Sequence, residues 1–132
     1  MTIKTKFLDD GGVLHEGLGV VSDDDLEQMY RDTYRDEEQI KKIKYRIFDV
    51  SKADKIEMST EQVIRKANMT AKAFKLNPNM RVAVFGNPDL IFGLGRMWTT
   101  YACDMSGYEN NCKVFREMDK LVKWVKDEKE NT

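Results

Sequence analysis

The side chains able to do chemistry are few and scattered. His15 is the single histidine. It lies in a strand-like run between Leu14 and Glu16, and no motif ties a serine or cysteine to it. A surface or strand histidine fits this setting better than a catalytic or metal-binding one. Cys103 and Cys112 stand nine residues apart, a separation that matches no zinc-ligand pattern. Two free thiols in a reducing compartment are expected, with a disulfide as the alternative. Gly93-Leu94-Gly95-Arg96 carries a GxG pair, but inside a predicted helix. A dinucleotide loop sits at a strand-to-helix turn. That turn here is Gly86-Asn87-Pro88-Asp89, where Asp89 repels phosphate. The glycines therefore read as close helix packing, at a propensity cost of roughly 1 kcal/mol each. With no nucleophile–base pair and no metal set, the expectation is a chain that is not an enzyme and needs no cofactor or metal.

Two clusters point to binding instead. Arg96 falls off the face formed by Ile91, Leu94 and Trp98, beside Phe92. It could anchor an anionic head group, with Phe92, Met97, Trp98 and Tyr101 lining a pocket for an apolar or amphiphilic ligand. A surface salt bridge and ordinary core filling are the plain alternatives. Lys41, Lys42, Lys44 and Arg46 follow Asp36, Glu37 and Glu38, so this basic run reads as a solvated connection rather than a membrane patch.

Secondary-structure elements must position these groups. Ile3 to Leu8 alternates and predicts a strand. Asp9-Asp10-Gly11-Gly12 then turns the chain into a second strand, Val13 to Val21, where Gly17 and Gly19 suggest a bulge. Ser22 opens a helix, with Asp25 three residues on as a variant capping box, and the helix fades near Asp36. Ile43 to Val50 is a third strand, and Ser51 to Glu57 a loop. Ser59 or Thr60 caps a second helix, with Gln62 completing a box from Ser59. Val63, Ile64, Ala67, Ala71 and Phe74 recur at helical spacing until Asn77-Pro78-Asn79. Arg81 to Phe85 reads as a buried strand. Asn87 caps and Pro88 begins a third helix to about Met105. Cys112 to Phe115 is a fifth strand, and Glu117 to Lys126 a last amphipathic helix. The predicted core is Ile47, Val63, Ala67, Val82, Val84, Ile91, Leu94, Trp98, Leu121 and Val125.

The 132 residues fit a single domain spanning 1–132, with a polar tail from about 127. Hydrophobic residues make up 41% and charged residues 34%, with 22 basic and 23 acidic side chains. This balance argues against nucleic-acid binding, which needs a basic surface. No run is apolar enough for an integral membrane segment, and MTIKTKFLDDGG lacks the core of a secretory signal. A cytoplasmic location is expected.

The element order ββαβαβαβα, with VAVFGNPDLIFGLGRMW at Val82 to Trp98 and VFREMDKLVKWV at Val114 to Val125, resembles the STAS superfamily. It looks closest to the SpoIIAA-like, or STAS/SEC14, branch of uncharacterised bacterial proteins. The resemblance implies a SpoIIAA-like α/β fold: a five-stranded, mixed, mostly parallel sheet with strands in sequential order and four helices. IFDVSKADKIEMST also aligns without gaps to the family's DLSGVxFxDSSG segment. Asp49-Val50-Ser51 matches its first part, Glu57 takes the acidic position, Ser59 the phospho-acceptor position, and Thr60 replaces the glycine. A phosphate at a helix N-terminus would meet free N–H groups. The competing reading of Ser59 is a plain helix cap.

The resemblance implies a non-enzymatic regulatory or protein-interaction domain with an unidentified protein partner. Its interaction surface would be the loop edge Ser51, Asp54, Ser59, Thr60, Asn87 and Asp89. The alternative is a small binding protein for a lipid or other amphiphile. A homodimer is compatible with either.

Overall fold

The computed structural model describes residues 2–86, 89 and 96–127. Strand β1 (Ile3–Phe7) turns through Asp10 and Gly11 into β2 (Gly12–Val21), and the two pair antiparallel, with Phe7 opposite Val13. Strands β3 (Tyr45–Ile56), β4 (Arg81–Phe85) and β5 (Cys112–Phe115) follow in parallel, in the sequential order β1-β2-β3-β4-β5. The helices are α1 (Asp23–Thr33), α2 (Glu37–Lys42), α3 (Thr60–Leu76), α4 (Arg96–Thr99) and α5 (Met118–Val125). Helix α4 runs on as a wider π turn over Thr100–Asp104. This is the mixed, mostly parallel α/β sheet expected.

The alternation of β3 explains the layering. One sheet face buries Val13 and Val82 against Val63, Ala67 and Phe74 of α3 and Trp98 of α4, and buries Val21 and Val50 against Leu26 and Met29 of α1. The other face buries Tyr45, Ile47, Ala83 and Phe115 against Leu121 and Val125 of α5. Of the predicted core, Ile47, Val63, Ala67, Val82, Trp98, Leu121 and Val125 are buried and Val84 is half-buried. Ile91 and Leu94, with Asn87 and Pro88, lie outside the described residues.

Four local readings need correction. Helix α2 falls in the stretch read as a solvated connection. Asp36 caps it through Gln39 N–H at 2.8 Å, and Ile40 is its one buried residue, too little for a periodicity to show. The segment from Ser51 to Ile56 is strand rather than loop, pairing with Leu18 to Val21 of β2. Its register slips twice around Gly17 and Gly19, and Gly19 takes a left-handed φ of 60° that a side chain would strain. Ser22 caps α1 as expected, but the Asp25 carboxylate turns away from the cap. It accepts Thr2 N–H and Thr2 Oγ1–H, both at 2.6 Å, and so ties the start of β1 to α1. The cysteines are not free thiols. Cys103 and Cys112 are joined in a disulfide, because the crossover from the π turn returns the chain to β5 with the two Cα atoms 6.2 Å apart.

A polar cluster sits inside the helical face. Arg46 is 2% exposed and His15 fully buried. The guanidinium packs against the rings of Tyr30 and Tyr34, 5.1 and 4.9 Å from their centroids. Its Nε donates to His15 Nε2 at 3.0 Å, so that nitrogen is an acceptor. The His15 proton is therefore on Nδ1, 2.9 Å from Thr5 Oγ1. Burial, with the Arg46 charge in second place, holds the His15 pKa well below its ordinary value. Trp98 Nε1 donates to the Tyr30 hydroxyl at 2.8 Å, and burial pushes that phenol up to about 12.

A group whose pKa is depressed by folding stabilises the fold above its unfolded value and loses that contribution as pH falls. As pH falls through about 6.5 and below, the unfolded chain takes up a proton that folded His15 resists. Stability should drop there by up to about 1.4 kcal/mol per pH unit. Urea unfolding across this range should show the slope in the native chain and a flat profile in His15→Gln.

Candidate functional site

The candidate site forms where β3 leaves the sheet and α3 begins. Glu57 N–H bonds Val21 O at 2.8 Å, half-buried Met58 packs into the core, and the chain surfaces at Ser59. Ser59 is extended, at φ −77° and ψ 165°, and forms the predicted capping box. Its Oγ accepts Gln62 N–H at 3.2 Å, and its own N–H donates to Gln62 Oε1 at 2.7 Å.

Gln62 does more than close the box. Its Nε2 donates to Asp23 Oδ2 at 2.8 Å, in the first turn of α1. Asp23 Oδ1 lies 2.5 Å from Lys66 Nζ, and Glu27 Oε2 lies 3.3 Å from the same ammonium. Arg65 pairs with Glu27 on the outer side. Lys66 is 1% exposed, so its charge depends on these carboxylates. The N-termini of α1 and α3 are thus locked side by side. They open into one concavity of about 670 Å³, lined by Ser22, Asp23, Asp24, Lys55, Glu57 and Ser59 among others.

The Ser59 hydroxyl sits at the cap with no imidazole beside it, since His15 is enclosed under the helices. Lys66 is held by carboxylates. Among the described residues no group of three or more His, Cys, Asp or Glu could hold a metal ion. The rim is acidic, through Asp23, Asp24 and Glu57 against Lys55.

The other expected site residues are dispersed. Thr60 is exposed beside Ser59 as the first residue of α3. Ser51 and Asp54 are exposed within β3, not on a loop, and Ser51 N–H and Oγ–H are both bound to Asp49 Oδ1, at 2.9 and 2.6 Å. Asp89 is exposed. Asn87 and Phe92 lie outside the described residues. Of the expected ligand pocket, Arg96 is exposed, Met97 and Tyr101 are half-buried against the core, and Trp98 belongs to the core through its bond to Tyr30.

Sequence reasoning passes over Lys66 and reads Arg46 as solvated, while His15 does lie in a strand, β2. The signal for Lys66 was its position among Val63, Ala67 and Thr70, on the inward stripe of α3. For Arg46 it was the apolar flanks on both alternations of β3, Tyr45 and Ile47 on one face and Phe48 and Val50 on the other. A strand covered on both sides must bury its arginine.

No protein-family model matches the chain, and no curated protein matches its sequence. Its fold does match a solved structure, that of the anti-sigma factor antagonist SpoIIAA in its unphosphorylated form. The match has a TM-score of 0.61 and covers 95% of this chain and 98% of that one, at 7% sequence identity. The likeness lies in the architecture and establishes the SpoIIAA-type, or STAS, fold.

The cap yields a stability prediction. Ser59→Ala should cost about 1 kcal/mol, and Ser59→Asp should stay within about 0.5 kcal/mol of the native chain. Aspartate caps as well as serine, while neighbouring Asp23 and Glu57 offset its gain from the helix dipole. Gln62→Ala should cost about 1–2 kcal/mol, since it removes hydrogen bonds to both Ser59 and Asp23. Denaturant titration of the single variants and of the Ser59/Gln62 double variant checks this, with a non-additive double variant expected.

Proposed function

We propose that this chain is a non-enzymatic regulatory domain of the STAS type, which acts by binding a protein partner at the edge where β3 meets α3. The observation that carries this reading is the exposed capping serine, held in a rigid box at the N-terminus of α3, on a fold shared along 95% of the chain with an anti-sigma factor antagonist. That neighbour is SpoIIAA in its unphosphorylated form. Ser59 is the residue at which the equivalent chemistry would occur here, because a hydroxyl at a helix N-terminus faces free N–H groups and the positive end of the dipole. A phosphate there would also meet the carboxylates of Asp23 and Glu57. Modification would thus deepen the negative charge of an edge that is already acidic.

The test is an affinity measurement. The tagged chain is isolated from its native cells, its co-purifying protein is identified, and titration calorimetry compares the unmodified chain with Ser59→Asp and Thr60→Arg. The reading predicts that Thr60→Arg weakens binding by at least roughly tenfold, about 1.4 kcal/mol, without loss of stability. If Ser59 is also a switch, Ser59→Asp does the same; equal affinity for Ser59→Asp leaves Ser59 as a cap within the surface. A chain that binds no protein, or a partner indifferent to Thr60→Arg and Ser59→Asp alike, would contradict the reading.

A further inference from the structure

A second surface lies at the far side of the sheet. Strand β5 is the last in the order, and among the described residues no strand pairs with its outer edge. Beside it, β5 and α5 enclose a cleft of about 400 Å³, lined by Lys113, Phe115, Arg116, Lys120, Lys123 and Trp124 among others. Lys113 Nζ stands 5.4 Å from the Phe115 ring centroid, and Phe115 meets Trp124 at 5.5 Å between centroids. Arg81 stacks on Trp124 and donates to its carbonyl, which fixes the aromatic floor.

The charge of this cleft departs from that of the chain. The whole sequence is net −1. Here Lys120 pairs with Glu117 at 2.6 Å, while Lys113, Arg116 and Lys123 have no carboxylate within ion-pair distance among the described residues. Asp127 is the other acid lining the cleft. Exposed bases over an aromatic floor, next to strand N–H and C=O groups that no other strand takes up among the described residues, call for two things at once: negative side chains and an extended main chain.

We propose that the cleft between β5 and α5 is a docking groove for an extended acidic peptide of a partner protein, added as a sixth strand along β5. The free edge supplies main-chain hydrogen bonds. Lys113, Arg116 and Lys123 supply the charge selection. A nucleic acid satisfies the charges but has no peptide groups for the edge. A second copy of the chain is disfavoured, since pairing β5 with itself sets Lys113 and Arg116 against their own kind. This surface is independent of Ser59, and its failure would leave the reading of that edge intact.

The probe is a fluorescent octapeptide of alternating glutamate and valine. It is compared with a lysine–valine counterpart, with an acidic version N-methylated at every second amide, and with an oligothymidylate. Fluorescence polarisation gives the affinities, and amide chemical shifts locate the site. The acidic peptide should bind and shift the amides of Cys112 to Arg116. N-methylation should weaken it at least roughly tenfold, as should the double substitution Lys113→Glu with Lys123→Glu. An unchanged thermal midpoint confirms that the variant is folded. The proposal is overturned if both peptides bind alike, if N-methylation has no effect, if oligothymidylate binds as tightly as the acidic peptide, or if the shifts fall elsewhere.

Discussion

The edge where β3 meets α3 depends on one buried ammonium. Lys66 points inward from α3 and is almost sealed from solvent, so it must be met by negative charge. Asp23 and Glu27 of α1 meet it, and that requirement sets where α1 lies against α3. Asp23 also takes the Gln62 amide, and Gln62 closes the cap on Ser59. The exposed serine is thereby connected through a single glutamine to an ion pair in the interior. Its geometry is fixed by the interior, not by the loop in which it lies.

The second polar centre, around Arg46, works by different means. Among the described residues no carboxylate pairs with this guanidinium. It packs against two tyrosine rings and donates to a neutral histidine and to the Tyr34 hydroxyl, which in turn lies 3.1 Å from Thr70 Oγ1 of α3. Such a network holds β1, β2, β3, α1 and α3 in one arrangement, because each hydrogen bond is lost if its element slides. It requires the neutral, Nδ1-protonated form of His15, so this part of the structure is specified by a protonation state as much as by packing.

The architecture was legible because its elements obey the ordinary periods. The caps at Ser22 and Ser59 begin their helices where the sequence placed them, and the short apolar run from Val82 to Phe85 lies within the sheet. What was missed had physical reasons. Helix α2 is too short to develop a periodic face. The far half of β3, from Ser51 to Ile56, is exposed and polar along most of its length and exists as strand because β2 pairs with it through two register slips. The buried bases were hidden by residue type. Lysine and arginine usually lie outside, and a single sequence does not show the carboxylates or rings that come from other elements to receive them. Ser59 caps α3 as the sequence predicts, but the residues around it come from other elements. Ser51 and Asp54 belong to a strand, and the true neighbours of Ser59 are Asp23, Asp24, Glu57 and Gln62.

Partner binding is proposed to converge on the locked N-termini of α1 and α3. Amide hydrogen exchange on the chain, alone and saturated with its co-purified partner, tests this most directly. The account predicts added protection concentrated in the first turns of both helices and in Glu57 to Ser59, with the helical core unchanged. A footprint that spares these segments and lies elsewhere on the sheet or helices would contradict it.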